Sequence, residues 1–422
     1  MRKIYSPVTD KNNFFMGKDP IELAGKFGTP LYVYNEKIIR EKCRDLKSIS
    51  TYPHFEVDYS IKANSNLAFI QIVKSEGLLV DAMSPGEIYV ALQAGYKPEQ
   101  IFYICNNVSE DEMQYAIDTG VVISVDSLSQ LETYGKINPG GKIAVRFNAG
   151  MGAGDNPKIT TAGEKTKFGI EKIFVEDVKN IIKKYDLKLI GLNQHIGSLN
   201  MNESVFAEGT KMLLEIAMEF PDLEFIDMGG GYGIPYHKED GESSLNIAAV
   251  RESVDKVIFD FVKKYGKEVT FRIEPGRYIS AESGMILGKV HSVKTNCGQK
   301  YIGCDVGFNV LQRPVMYDSY HGIEIYRPSD KKSEKEENVK IVGNICESGD
   351  ILAHDRVLPE IFEGDILGVL DAGAYGFSMS SNYNLRLKPA EILLREDGSV
   401  ALIRERDTLE DMMKGMVSLE DL

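Results

Sequence analysis

Four short segments carry residue types that could do chemistry together: YSIKANSN around Lys62, QHIGS around His195, the run Gly229, Gly230, Gly231, Tyr232, Gly233, and EPGR beginning at Glu274. A lysine amine whose pKa is depressed by burial is a nucleophile that can form a Schiff base with an aldehyde. Consecutive glycines let backbone N–H groups close on a phosphate. A carboxylate such as Glu274 facing a pyridine nitrogen keeps that ring protonated and able to accept electrons, and a histidine can lie flat on the ring face. These are the separate jobs of a pyridoxal-phosphate site. Taken singly, each residue has an ordinary explanation: a surface lysine, a tight turn, a satisfied core histidine. Only their convergence on one surface would need a functional one.

The elements that must position them alternate regularly. Between residues 55 and 274 eight apolar or β-branched runs occur, at 55–61, 78–83, 101–105, 121–126, 142–148, 187–196, 223–228 and 269–274. Segments with i, i+3, i+4 apolar spacing separate them, and many stop at glycine as helices do. Eight strand–helix alternations predict parallel strands joined by right-handed crossovers, closed as an α/β (β/α)8 TIM-type barrel. In such barrels the working residues sit at the C-terminal strand ends. Those ends are polar here: Lys62; Ser84 and Glu87; Asn106 and Asn107; Arg146 and Asn148; His195 and Ser198; the glycine run; Glu274 and Arg277.

After about residue 280 the pattern changes to strand-like runs divided by turn signals. This predicts a mainly β C-terminal domain, of β-sandwich or β-barrel type, joined by the N-terminal strand at PLYVYN. The expected division is a barrel at 35–280, with 1–34 plus 281–422 forming the β domain. The stretch YRPSDKKSEKEENVK is highly charged and reads as a solvated loop.

Composition narrows the class. A formal charge of -14 without a basic patch argues against a nucleic-acid partner. The five cysteines lack CxxC spacing, which disfavours a disulfide framework and a metal site and fits a reducing cytoplasm. No secretory or membrane-spanning pattern is seen.

YSIKAN, QHIGS, DMGGGYG, EPGR, CESGD and GAYGFSMSSNYN, in this order, resemble the motifs of the fold-type III pyridoxal-phosphate-dependent decarboxylases, the barrel family related to alanine racemase. Within it the branch acting on diaminopimelate is the most similar. The resemblance implies pyridoxal 5'-phosphate as cofactor, carried on Lys62, with His195 on the ring and Glu274 at the pyridine nitrogen. It implies phosphate contacts from Ser198, Gly231, Gly233, Gly276 and Arg277, with Gly229, Gly230 and Pro275 also binding the cofactor. It also implies that Arg277, Arg313 and Tyr317 bind substrate carboxylates, that Glu347 receives the distal ammonium, that Cys346 donates the proton, and that Tyr375 touches both cofactor and substrate.

In that family the Cys346–Glu347 loop comes from a second subunit, so a homodimer with shared active sites is implied. Two arginines suit a dicarboxylate substrate, because charge-assisted pairs are worth roughly 1.5 to 3 kcal/mol each. Decarboxylation of meso-2,6-diaminopimelate to L-lysine is therefore expected. A sibling acting on ornithine, lysine or a D-isomer, a racemase on the same barrel, and a catalytically dead binding protein are the alternatives.

Overall fold

The structure is a computed structural model that describes residues 3–148, 150, 166–331, 333 and 335–421. It divides into two compact units, one formed by residues 39–234 and 244–279 and the other by 1–38, 235–243 and 280–422. Residues 235–243, placed in the barrel by the sequence reading, thus group with the second unit.

In the first unit eight parallel strands close on themselves: Phe55–Ser60, Leu79–Ala82, Ile101–Ile104, Val122–Val125, Lys142–Asn148, Lys188–Asn193, Phe225–Asp227 and Thr270–Ile273. Each pairs with the next, and the last returns to the first through Ile273 opposite Val57. A further two-residue strand, Ile170–Glu171, adds to the fifth strand. Ser84, Ser109 and Ser127 each accept a backbone N–H at a helix start, which fixes where the connecting helices begin.

Strand side chains alternate between two faces, so one register must face the helices and the other the barrel interior. Tyr59 stacks on Phe69 of the following helix, with ring centroids 5.6 Å apart. Its neighbours Asp58 and Ser60 therefore point inward. Part of the interior is apolar, with Phe102 meeting Phe225 edge-on across the barrel at 5.3 Å. The rest is charged. Arg272 contacts Glu56 at 2.9 Å and Asp58 at 3.7 Å, and Asp58 is fully buried.

The second unit is built on a long strand, Gly284–Asn296. Its first half pairs antiparallel with both Leu31–Asn35 and Ile366–Val369, and its second half with Gln299–Cys304. The PLYVYN strand thus lies in the β unit, as expected, and pairs parallel with Ala390–Leu394 on its other edge. The helix Pro20–Phe27 packs Leu23 and Ala24 onto the core around Leu31, Val33 and Met285.

The charged stretch beginning at Tyr326 is the exposed loop expected only over its middle, from Pro328 to Lys331, and departs from it at both ends. Tyr326 and Arg327 are fully buried, and residues from Glu336 to Val342 form a strand; Lys332 and Glu334 lie outside the described residues. The Arg327 guanidinium meets both oxygens of Asp365 at 2.8 Å and donates to the carbonyls of Lys331 and Glu360. A bidentate partner and two carbonyls engage four of the five N–H donors of the fork, which is what lets so polar a group sit inside.

Arg327→Met leaves Asp365 buried without its cation and is expected to cost about 3–5 kcal/mol in urea unfolding; a loss under about 1 kcal/mol would contradict the assignment. Burial pushes the Asp58 carboxyl up to about 7, against the pull of Arg272. A raised carboxyl adds stability below its unfolded-state pKa and loses it as pH rises through the folded one. Asp58→Asn should therefore be more stable than the parent by a few kcal/mol at pH 8, with the gap closing towards pH 4. Urea midpoints across that range test it, and parallel profiles would refute it.

Candidate active site

Around the C-terminal ends of the barrel strands the chain gathers an unusual set of buried charges. Lys62 sits in a single 3-10 turn, Ile61–Ala63, directly after the first strand. Ser60, the last residue of that strand, donates from its hydroxyl to Asp81 at 2.7 Å and to the Glu274 carbonyl at 3.2 Å, tying strands one, two and eight together. Asp81, Asp227 and Glu274 are all buried, and Arg146 joins them with 7% of its surface exposed. Asp81 and Glu274 both feel the charge of Lys62.

Burial, and then the neighbouring Asp227 and Asp81, hold the Glu274 carboxyl well above the usual carboxylate range. Burial also pushes Asp227 up to about 7, although the N–H of Gly229, which donates to its Oδ1 at 2.8 Å, acts the other way. Neither Glu274 Oε1 nor Asp227 Oδ2 meets a donor among the described residues. A single proton held by Glu274 and shared with Asp227 satisfies both, the usual outcome when two carboxyls share a dry site.

His195 is neutral here. Its Nδ1 accepts the Gly230 N–H at 3.1 Å, so that nitrogen carries a lone pair. The 3.9 Å separation from Glu274 Oε2 is then not an ion pair. Burial, with Lys62 and Arg146 nearby, holds the imidazole well below its ordinary pKa.

The glycine run is required by close approach. A Cβ on Gly230 would collide with the Glu274 carbonyl oxygen and press on His195 Cε1 at 3.2 Å. One on Gly231, whose φ is +101°, would meet the Gly197 carbonyl oxygen at 2.5 Å. Gly233 packs as tightly on Met201. Pro275 accepts the Ser60 N–H through its carbonyl at 3.1 Å, and Gly276 is buried beside it. Arg277 donates to Ser198 Oγ at 3.1 Å, bringing a cation to the QHIGS loop. The N–H groups of Gly229, Gly230 and Gly233 are taken by Asp227, His195 and Asn200, so the glycine run serves a ligand by leaving room beside Ser198 and Arg277. Room at a serine and an arginine, a buried acid pair and a lysine fit a phosphorylated pyridine aldehyde, whose phosphate would be held at Ser198 and Arg277, ring nitrogen at Glu274 and aldehyde at Lys62.

Asp81, Asp227, Ser60 and Arg146 were not assigned a role from sequence, although Arg146 was noted at its strand end. The signal was present: an aspartate in the inward register of an otherwise apolar strand, LVDA or FID, is costly unless something pairs with it. Ser84 turns out to cap the helix Pro85–Gln93. Glu87 accepts the Met83 N–H at 2.7 Å and is pushed up to about 7 by burial, with Lys62 acting the other way. Asn106 donates to Asp126.

The remaining sequence-predicted residues lie on the β unit. Arg313 starts a short helix, Arg313–Tyr317, and is buried; Tyr317 ends that helix half-buried. Tyr375 is held at φ 54°, a left-handed conformation that costs a non-glycine residue about 1–3 kcal/mol when fixed. Cys346 and Glu347 lie on an exposed loop. Asn384 accepts the Cys346 N–H at 2.8 Å, and the Tyr383 hydroxyl donates to Glu347 Oε1 at 2.5 Å. The GAYGFSMSSNYN segment thus clamps the CESGD loop.

Comparison with known proteins points to one family. Residues 36–281 match the family model described as pyridoxal-dependent decarboxylase, pyridoxal binding domain. The chain is 43% identical to diaminopimelate decarboxylase of Methanothermobacter thermautotrophicus, over 97% of this chain and 96% of that protein. It is 32% identical to the Escherichia coli K12 enzyme of the same name, over 93% and 95% of the two chains. The crystal structure of diaminopimelate decarboxylase from Helicobacter pylori complexed with L-lysine superposes with a TM-score of 0.86 at 30% identity, covering 94% of this chain and 98% of that one. With a charged barrel mouth of this composition and relatives matched along almost their whole length, the chain belongs to the diaminopimelate decarboxylase family of pyridoxal-dependent decarboxylases.

Proposed function

We propose that this protein decarboxylates meso-2,6-diaminopimelate to L-lysine, with pyridoxal 5'-phosphate carried on Lys62. The observation that carries the reading is the barrel mouth, where Lys62, neutral His195, the acid pair Asp227–Glu274 and the glycine run converge. Bound pyridoxal phosphate supplies an electron sink for the bond to the departing carboxylate.

The chain's own groups do the rest. Asp81 and Glu274 set carboxyls within electrostatic reach of the Lys62 amine. Glu274 holds a proton where a basic ring nitrogen can meet it. His195, kept uncharged by the Gly230 N–H, offers a flat face that does not repel a cationic ring. Gly231, Gly233, Gly276, Ser198 and Arg277 line the phosphate site, with Pro275 fixing the turn, while Gly229 spends its N–H on Asp227.

On the β unit Arg313 and Tyr317 take the distal carboxylate and Glu347 the distal ammonium. Cys346 delivers a proton to the carbon that loses carbon dioxide, and Tyr375 orients cofactor and substrate. Buried groups built to pair with a second carboxylate and amine reject substrates lacking them by roughly 10⁴-fold. Measuring carbon dioxide release from meso-diaminopimelate, D-lysine and L-ornithine tests this. A preference of at least about 10³-fold in kcat/KM for diaminopimelate is expected, and comparable rates would overturn the substrate.

The Cys346–Glu347 loop is exposed in a single chain, and Tyr383 and Leu385 beside it expose 45% and 63% of their surface. Such an exposed face supports a homodimer in which a second copy would cover it and each active site would borrow the other's loop. The free cysteines suit a reducing cytoplasm, since Cys346 must remain a thiol to give up a proton. Mixing Lys62→Ala with Cys346→Ala subunits should restore roughly a quarter of parental turnover, because half of the dimers are hybrids with one intact site each. Hybrids with no activity would argue against shared sites.

A further inference from the structure

Arg313 is held by a group that sequence reasoning did not consider. Its Nη1 lies 3.0 Å from Nε2 of His321, eight residues further along QRPVMYDSYHGI, and His321 is fully buried. The other imidazole nitrogen, Nδ1, lies 2.7 Å from the carbonyl oxygen of Leu370. A carbonyl only accepts and a guanidinium only donates, so the ring hydrogen sits on Nδ1 and Nε2 presents a lone pair to Arg313. His321 is therefore a neutral acceptor.

The pair is built into its surroundings. The Arg313 guanidinium lies 5.0 Å from the centre of the Tyr236 ring, and Tyr236 meets the imidazole edge-on at 5.6 Å. The His321 carbonyl accepts from Arg356 at 3.3 Å, and Arg356 in turn stacks on Tyr320. An aspartate or glutamate in the place of His321 would cancel the positive charge it orients and compete with any carboxylate ligand. A neutral imidazole fixes the direction of the guanidinium fork and leaves its charge available.

We infer that His321 is a positioning residue: its Nε2 lone pair holds Arg313 in the orientation that receives the substrate's distal carboxylate, and so sets the preference for a substrate that has one. The inference rests on the reading of Arg313 as the distal-carboxylate group.

Two substitutions separate positioning from packing. Glutamine can place its side-chain oxygen near the position of Nε2, keeping the acceptor for Arg313. Asparagine can place its amide nitrogen near Nδ1, keeping the donor to Leu370 but losing that acceptor. In the pyridoxal-phosphate-loaded enzyme, His321→Asn should raise KM for meso-diaminopimelate roughly tenfold, the worth of one hydrogen bond to a charged group, with kcat within about twofold. The kcat/KM for D-lysine, which lacks the distal carboxylate, should not change. His321→Gln should return KM close to the parental value. Cofactor absorbance and unfolding temperature, measured on the same samples, report folding.

A KM for the asparagine variant no higher than for the glutamine variant would overturn the inference. So would an equal loss on both substrates. Arg313→Ala in the same assay tells the two failures apart. If it raises KM while His321→Asn does not, only the role of His321 falls; if it leaves KM and the preference over D-lysine unchanged, the assignment of Arg313 itself is wrong.

Discussion

Carboxyl groups buried in the interior of the barrel have to be balanced, and most of the first unit's design follows from how that is done. Asp58, Asp81, Asp227 and Glu274 are each almost inaccessible to solvent, and the cations that face them are Arg272, Arg146 and Lys62. An isolated buried carboxylate would be prohibitively costly. Here the cost is met partly by cations and partly by protonation, since burial raises all four carboxyls. The lysine is thereby fixed beside acids, and a proton is kept on the wall where a pyridine nitrogen would be met.

The same constraint explains the glycines. With Glu274, His195 and the QHIGS loop already packed against the seventh strand's exit, no Cβ can be accommodated at Gly230. The bare backbone that results can donate its N–H to His195 and keep that ring neutral. On the β unit the logic is reversed. Arg313 is a buried cation whose orientation comes from a neutral imidazole, and the Cys346–Glu347 loop is fixed from outside by Tyr383 and Asn384.

Much of the barrel was legible in sequence because its strands are largely apolar runs of three to seven residues set between amphipathic helices, and each of the eight runs contains a strand. The site was legible where function forces an unusual motif, as at YSIKAN or the triple glycine. It was not legible where a charged residue looks ordinary in one dimension. Asp81 and Asp227 become notable only once the strand register turns them inward. Arg327 stands in a charged stretch that reads as loop, and its burial depends on Asp365, a contact across 38 positions of sequence. His321 has no local signature, since its partner carbonyl at Leu370 lies 49 positions away.

The proposed chemistry requires the cofactor to be joined to Lys62. Borohydride reduction of the pyridoxal-phosphate-loaded protein, followed by proteolysis and peptide mass mapping, tests it most directly. One modified peptide is expected, with the cofactor-derived mass on Lys62. Modification at another lysine, or none on a protein that is active and carries the cofactor's absorbance, would contradict it.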